Sequence, residues 1–277
     1  PVYHHITGKE RIISAPTAAA PLCHFHDVEL KYGETTAVIV PELTINPGTL
    51  TAVIGPSGSG KTTLTHAIGD IPVETLHCVG TVERRGKVGV ISQDSFGALN
   101  PLQRVDKQVA LTAGSIENAH ELLAQVSLTP ELFSRYPLEL SGGQRQRAAI
   151  AFALGARPQL LLCDEVTSAL DPIATAEVVR TLRKLVADSR DGMSIVFISH
   201  DRSFIRKMAT RIVDLDRGKL VSYPGNYDLY LTAKEENLRV EALQNELFDK
   251  RLAQEEVWIR QGIKARRTRN EGRVRAL

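Results

Sequence analysis

Apolar and polar residues alternate through CHFHDVELKY (23–32) and TAVIVPELTI (36–45), which predicts strands with one face on a core. They read as edge strands of an antiparallel sheet that lead to LTAVIG (50–55), a shorter and more uniformly apolar run expected to be a central buried strand. KTTLTHAIGD (61–70) then changes to helical spacing. From about Ser95 to Leu154 the period stays helical, with breaks expected at Pro101, Pro130 and Pro137. QLLLCDE (159–165) and MSIVFISH (193–200) are continuous apolar runs of strand length, separated by a helical stretch from Ala174 to Ala187. Strand, helix and strand at this spacing predict a βαβ unit in a parallel sheet, hence an α/β fold. RIVDLDRGKLVSYPG (211–225) reads as a closing hairpin turning at Arg217-Gly218. These signals divide the chain into a lead-in at 1–21 without clear period, one α/β domain at 22–226 whose helical subdomain runs about 95–155, and a charged extension at 227–277. In the extension Gly and Pro nearly vanish, and a long helix is expected.

Composition narrows this little: 277 residues, 43% hydrophobic and 24% charged, describe an ordinary globular protein with a core. The net charge of +2 does not mark the whole molecule as a polyanion binder, but the charge is uneven. Arg260, Lys264, Arg266, Arg267, Arg269, Arg273 and Arg275 stand against Glu271 alone. Such a stripe suits a phosphate backbone such as RNA, and it equally describes a solvated helix screened by salt. Cys23, Cys78 and Cys163 lack metal-ligand spacing and read as reduced, buried thiols in a cytosolic setting. No apolar run approaches the roughly 18 residues of a membrane span, so any membrane role is expected to be peripheral, at the inner face.

The chemistry begins at GPSGSGKTT, from Gly55 through Pro56, Ser57, Gly58, Ser59, Gly60, Lys61 and Thr62 to Thr63. Two glycines with four residues between them, then Lys and Thr, between a strand and a helix, form a phosphate-binding loop. Its amides face phosphate oxygens and the helix adds its positive end. Lys61 reaches the β- and γ-phosphates of ATP, and the Thr62 hydroxyl is a candidate Mg²⁺ ligand. Asp164 ends an apolar strand, where open α/β sheets bind ligands, and is placed to hold Mg²⁺; Glu165 is placed to polarise an attacking water. His200 ends the next strand, within reach of a γ-phosphate. Gln93 follows another strand and is placed to join Mg²⁺ and the water to a mobile neighbour.

Ser141, Gly142, Gly143 and Gln144 open an Arg- and Ala-rich helix and form a second anion site. Two phosphate sites in one chain are redundant unless this loop closes over the nucleotide of another subunit. A serine N-cap with a glycine turn describes the same local geometry and needs no partner.

Together these residues resemble the ATP-binding cassette (ABC) ATPases over roughly Leu22 to Tyr223. The resemblance implies a P-loop ABC nucleotide-binding domain with an antiparallel β subdomain and a helical subdomain. It implies ATP and Mg²⁺, Gln93 as Q-loop, Leu140–Gln144 as signature, and Asp164 closing the Walker B strand. It further implies Glu165 as catalytic base, a D-loop at Ser168–Asp171 and His200 as switch histidine. Tyr32 matches the aromatic that stacks on adenine, with a surface turn tyrosine as its alternative. The usual DEPTSALD is altered, because Val166 stands where the family carries proline. Hydrolysis is expected to survive this loss of backbone constraint, at a lower rate. SQDSFGALNP and YPLELSGGQRQRAAIAFAL resemble oligopeptide and nickel importer subunits, which implies a membrane permease docked at the Q-loop region. The sequence from Asp201 onward resembles ABC-F proteins of the Uup type, which carry two cassettes, lack membrane domains and act on ribosomes or nucleic acid. The seam between the two likenesses falls near Phe197–Asp201. Transport energisation is the expected role, with an ABC-F-like action through the basic tail as its alternative. A second cassette is a partner in either case.

Overall fold

The computed structural model describes residues 20–92, 97–168, 170–189 and 192–240, followed by 242–244, 246–248 and 250–251. The first alternating segments become an antiparallel pair, β1 (Cys23–Tyr32) and β2 (Thr35–Ile45), which turns at Gly33. Phe25, Val28, Leu30, Val38 and Val40 point from it into the core and are fully buried. The expectation that β1 and β2 are edge strands fails, since each has a neighbour on both sides. Leu76–Arg84 (β4) pairs antiparallel along the outer side of β1 and takes the edge itself. The sequence gives little sign of β4, because most of its residues are exposed on both faces and no alternation develops. This edge also leaves Cys78 exposed, against the expectation of three buried thiols; Cys23 and Cys163 are buried.

The central strands are β3 (Leu50–Ile54), β5 (Val88–Ile91), β6 (Leu160–Asp164), β7 (Ser194–Ile198) and β8 (Arg211–Asp216), paired in parallel in the order β8-β3-β7-β6-β5. β6 and β7 are buried on both faces, which explains their unbroken apolar sequences. β9 (Lys219–Pro224) turns back antiparallel from β8 through Arg217 (φ 48) and Gly218 (φ 73), the paired positive φ of a tight hairpin turn. β9 also meets β2, which joins the parallel and antiparallel parts into one sheet ordered β4-β1-β2-β9-β8-β3-β7-β6-β5.

The helical region contains α2 (Val105–Ala113), α3 (Ile116–Gln125), α4 (Pro130–Phe133) and α5 (Gly142–Gly155), after α1 (Lys61–Gly69). Pro130 and Pro137 start short helices instead of breaking longer ones, since a first-turn proline loses no hydrogen bond. α5 is buried along most of its length; its small residues let α2, α3 and α6 (Pro172–Ala187) pack around it. α7 (Arg202–Met208) follows β7.

Two compact units divide at Asn226/Tyr227. In the second, residues 227–240 are helical, with Lys234 Nζ donating to the Tyr230 hydroxyl at 2.9 Å. The basic stretch from Arg260 lies outside the described residues, as does most of the lead-in. Among the described residues no helix is long and apolar enough to cross a membrane.

Candidate active site

Strand register assembles the site. Val53 and Asp164 both pair with Ile198, so the loop after β3, the acids ending β6 and the histidine after β7 leave the sheet side by side. β5 ends at Ile91 opposite Cys163 on the same side; Gln93 itself lies outside the described residues.

Glycine is required in the loop after β3. A Cβ on Gly55 (φ 150) would lie 2.1 Å from the Leu215 carbonyl oxygen, and one on Gly60 (φ 100) 2.4 Å from Val38 Cγ2. Gly58 is different: a Cβ there would meet nothing within 4 Å, so the loop is open on that side. Pro56, Ser57 and Thr62 are exposed, whereas Ser59 is buried and its hydroxyl makes no hydrogen bond among the described residues. Lys61 bends back to donate to the carbonyls of Gly55 (3.0 Å) and Pro56 (2.8 Å). Burial lowers its pKa, against the opposing pull of Glu165 and Asp164. An open glycine loop at a helix start, with an orphan hydroxyl and an ammonium across it, fits a polyphosphate. The Tyr32 hydroxyl lies 3.3 Å from Thr63 Oγ1, which brings this residue to the same helix turn.

Asp164 is half-buried, and burial followed by the adjacent Glu165 raises its pKa, while His66 and Lys61 pull it down. The Asp164 carboxylate and the exposed Thr62 hydroxyl each offer a hard oxygen of the kind Mg²⁺ takes. Glu165 occupies a left-handed backbone conformation (φ 45), which costs a residue with a Cβ about 1–2 kcal/mol. Its N–H donates to the Ile198 carbonyl at 3.0 Å, and its own carbonyl accepts from both the N–H and the hydroxyl of Ser168, each at 3.0 Å. The Glu165 carboxylate is 3.4 Å from His200 Nε2. Beside this pair opens a cavity of about 500 Å³ between Thr167, Ser168 and the helices α6 and α7. Asp171 closes the segment by capping α6, accepting from the amides of Ile173 and Ala174 at 2.9 Å each. Of the expected D-loop, Ala169 lies outside the described residues.

At the second loop, Ser141 caps α5: its hydroxyl accepts from Gln144 N–H at 3.3 Å, and Gln144 Oε1 accepts from Ser141 N–H at 2.9 Å. Ser141 and Gly142 are exposed. Gly143 is buried, and a Cβ there would sit 2.7 Å from Ala174 Cβ, so this glycine is needed for α5 to approach α6. The sequence reading overlooked Arg145. Its Nε donates to the Pro137 carbonyl at 2.9 Å and its Nη2 to the Leu140 carbonyl at 3.1 Å, which braces the loop from behind. An arginine one turn inside a glycine-started helix was the available signal. Arg147 pairs with Glu177 of α6.

An ABC transporter family model matches residues 40–168 and a second matches 213–277. The glutamine transport ATP-binding protein GlnQ of Geobacillus stearothermophilus is 32% identical, with 79% of this chain and 97% of that protein covered. The chain belongs to the ABC ATPase family. As a member it is an ATP-binding, ATP-hydrolysing enzyme. ATP-binding protein Uup of Haemophilus influenzae is 45% identical over 90% of this ABC chain, across the Phe197–Asp201 seam. The chain spans only 43% of that relative's length. Among solved structures, a dimeric ATP-binding cassette in a post-hydrolysis state bound to ADP and Pi matches with a TM-score of 0.61 at 28% identity, covering 73% of this ABC chain and 98% of that one.

Proposed function

We propose that this chain is one ATPase half of a Uup-type protein, which uses ATP-driven closure of two cassettes to move its helical extension against an RNA-bearing partner. The observation carrying this reading is the 45% identity to Uup over 90% of the chain, against 32% to the glutamine importer subunit. The extension's basic run from Arg260 to Arg275 agrees with a phosphate-rich partner. Gly55–Thr63 cradles the ATP phosphates, Lys61 exchanging its loop carbonyls for phosphate oxygens, and Tyr32 stacks on adenine. Thr62, Gln93 and Asp164 would hold Mg²⁺, which supplies charge neutralisation on the phosphates. Glu165 accepts the proton of the water attacking the γ-phosphorus, and His200 hydrogen-bonds the γ-phosphate and holds the Glu165 carboxylate. Ser141–Gln144 closes over the nucleotide of the paired cassette. The exposure of Ser141 and Gly142 supports this, since the capping box alone does not require it.

A permease-coupled role is the second reading, favoured by coverage of 97% of the importer subunit, and it places the chain at the inner membrane face. Sedimentation with purified ribosomes separates the two. Salt-sensitive association and stimulated ATPase, both lost when Arg266, Arg267 and Arg269 become Gln, are expected. Absence of association, with a membrane permease co-purifying instead, would establish the transporter reading.

A further inference from the structure

α6 and α7 are successive crossovers of the parallel sheet, from β6 to β7 and from β7 to β8, and right-handed connections put both on one face of it. They pack against each other there, with Ala176 and Val179 of α6 and Ser203 and Lys207 of α7 around one cavity. α6 buries Val178, Val179, Leu182 and Leu185, which leaves Arg180, Arg183 and Lys184 exposed on its outer side. Arg183 follows Ala176 and Val179 by seven and four residues, so it stands on the side of α6 that faces α7. Lys207 stands across the cavity from that side, and Arg202 is exposed at the start of α7.

The acids of these segments leave the face uncompensated. Asp171 and Asp201 cap the two helix starts, Glu177 pairs with Arg147, and Asp188 lies at the far end of α6. Among the described residues, Arg180, Arg183, Lys184, Arg202 and Lys207 have no ion-pair partner. Cations gathered on one face, without neutralising neighbours, attract an anion of matching charge density. A helix that lies on a lipid surface carries large apolar side chains opposite its cations for burial in the acyl boundary. On these two helices the exposed large apolar residue is Ile173, at the first turn of α6 and away from the cations. We propose that the α6–α7 face binds the phosphate backbone of RNA, as a contact on the cassette body separate from the basic extension. It deepens the proposed function and rests on the partner there carrying RNA. Phosphate contacts position a protein without reading sequence, so binding by this face is indifferent to sequence and steep in salt.

Fluorescence anisotropy of the full chain with a mixed-sequence single-stranded RNA, over a series of salt concentrations, tests this. Each phosphate contact on a single strand adds about 0.7 to the slope of log affinity against log salt, so Arg180→Gln, Arg183→Gln and Lys207→Gln together should reduce that slope by about 2. Melting temperature and RNA-free ATPase should not change. A control with Arg85→Gln, Lys107→Gln and Lys219→Gln, exposed elsewhere, has the same net charge and should keep the wild-type slope. An unchanged slope in the face variant, or an equal fall in the control, overturns the proposal while persisting RNA binding leaves the proposed function standing. A wild type that binds no RNA overturns the RNA-bearing partner itself and this inference with it. Binding to phosphatidylglycerol vesicles in place of RNA, lost in the face variant, assigns the face to a membrane surface and likewise overturns the proposal.

Discussion

At the residue scale, Lys61 and Gly143 carry duties that experiment can separate. Lys61 holds the loop's own carbonyls and faces the phosphate cradle, so Lys61→Ala removes both a tether and a charge. Turnover is expected to drop on the order of 10²–10³-fold, as when a preorganised charge-stabilising donor is lost, with ATP binding weakened in equilibrium titration. Gly143 is the sharper case. Gly143→Ala forces its new methyl against Ala174 and should cost about 1–3 kcal/mol by overpacking. Adding Ala174→Gly makes room and should restore most of the melting temperature. If Gly143 also faces a partner's nucleotide, the double variant regains stability without regaining ATPase, and the two measurements separate packing from chemistry. Legibility differed between these residues. Lys61 follows from a local pattern, whereas the demand on Gly143 comes from a residue of another helix that no local pattern points to.

At the element scale, β1 and β2 are tied by His26 and Glu42, which are register partners with a 3.1 Å hydrogen bond. That bond raises the His26 pKa above 6.5 and lowers Glu42 below 4.5. A raised histidine stabilises below its unfolded value and loses that contribution as pH rises through its folded one. A lowered glutamate stabilises above its unfolded value and loses it as pH falls through its folded one. The coupling therefore peaks between these two reference values. A double-mutant cycle of His26→Gln and Glu42→Gln, followed by thermal melting, should show coupling between the two reference values that weakens as pH rises above that of histidine and as it falls below that of glutamate. The start of α5 followed the sequence because its Ser141 cap is local chemistry, whereas α6 starts at Pro172 under an Asp171 cap, two residues before the expected Ala174. Element boundaries escaped the sequence at β4, whose exposed faces give no amphipathic signal, and at Pro130 and Pro137, where a helix start and a helix break share one residue type.

At the scale of the whole molecule, the proposed function makes the exposed Ser141-Gly142 edge and the loop at Gly55–Thr63 halves of two sites that a second cassette completes. Glu165→Gln with MgATP should therefore sediment as a dimer that persists, whereas the wild type returns to monomer as ATP is consumed. Ser141→Arg should block the dimer while leaving nucleotide binding by the monomer intact.

The sequence by itself determined the fold class, the phosphate loop, the two acids and the capped glycine loop. Each is a local chemical requirement satisfied within a few consecutive residues. Only the tertiary structure decided that Val53, Asp164 and Ile198 share one edge, that Gly143 is a packing glycine, and that Glu165 stands at positive φ against His200. Those facts arise from pairing and close approach between segments distant in sequence. There the energy belongs to the contact, and neither partner's local pattern records it.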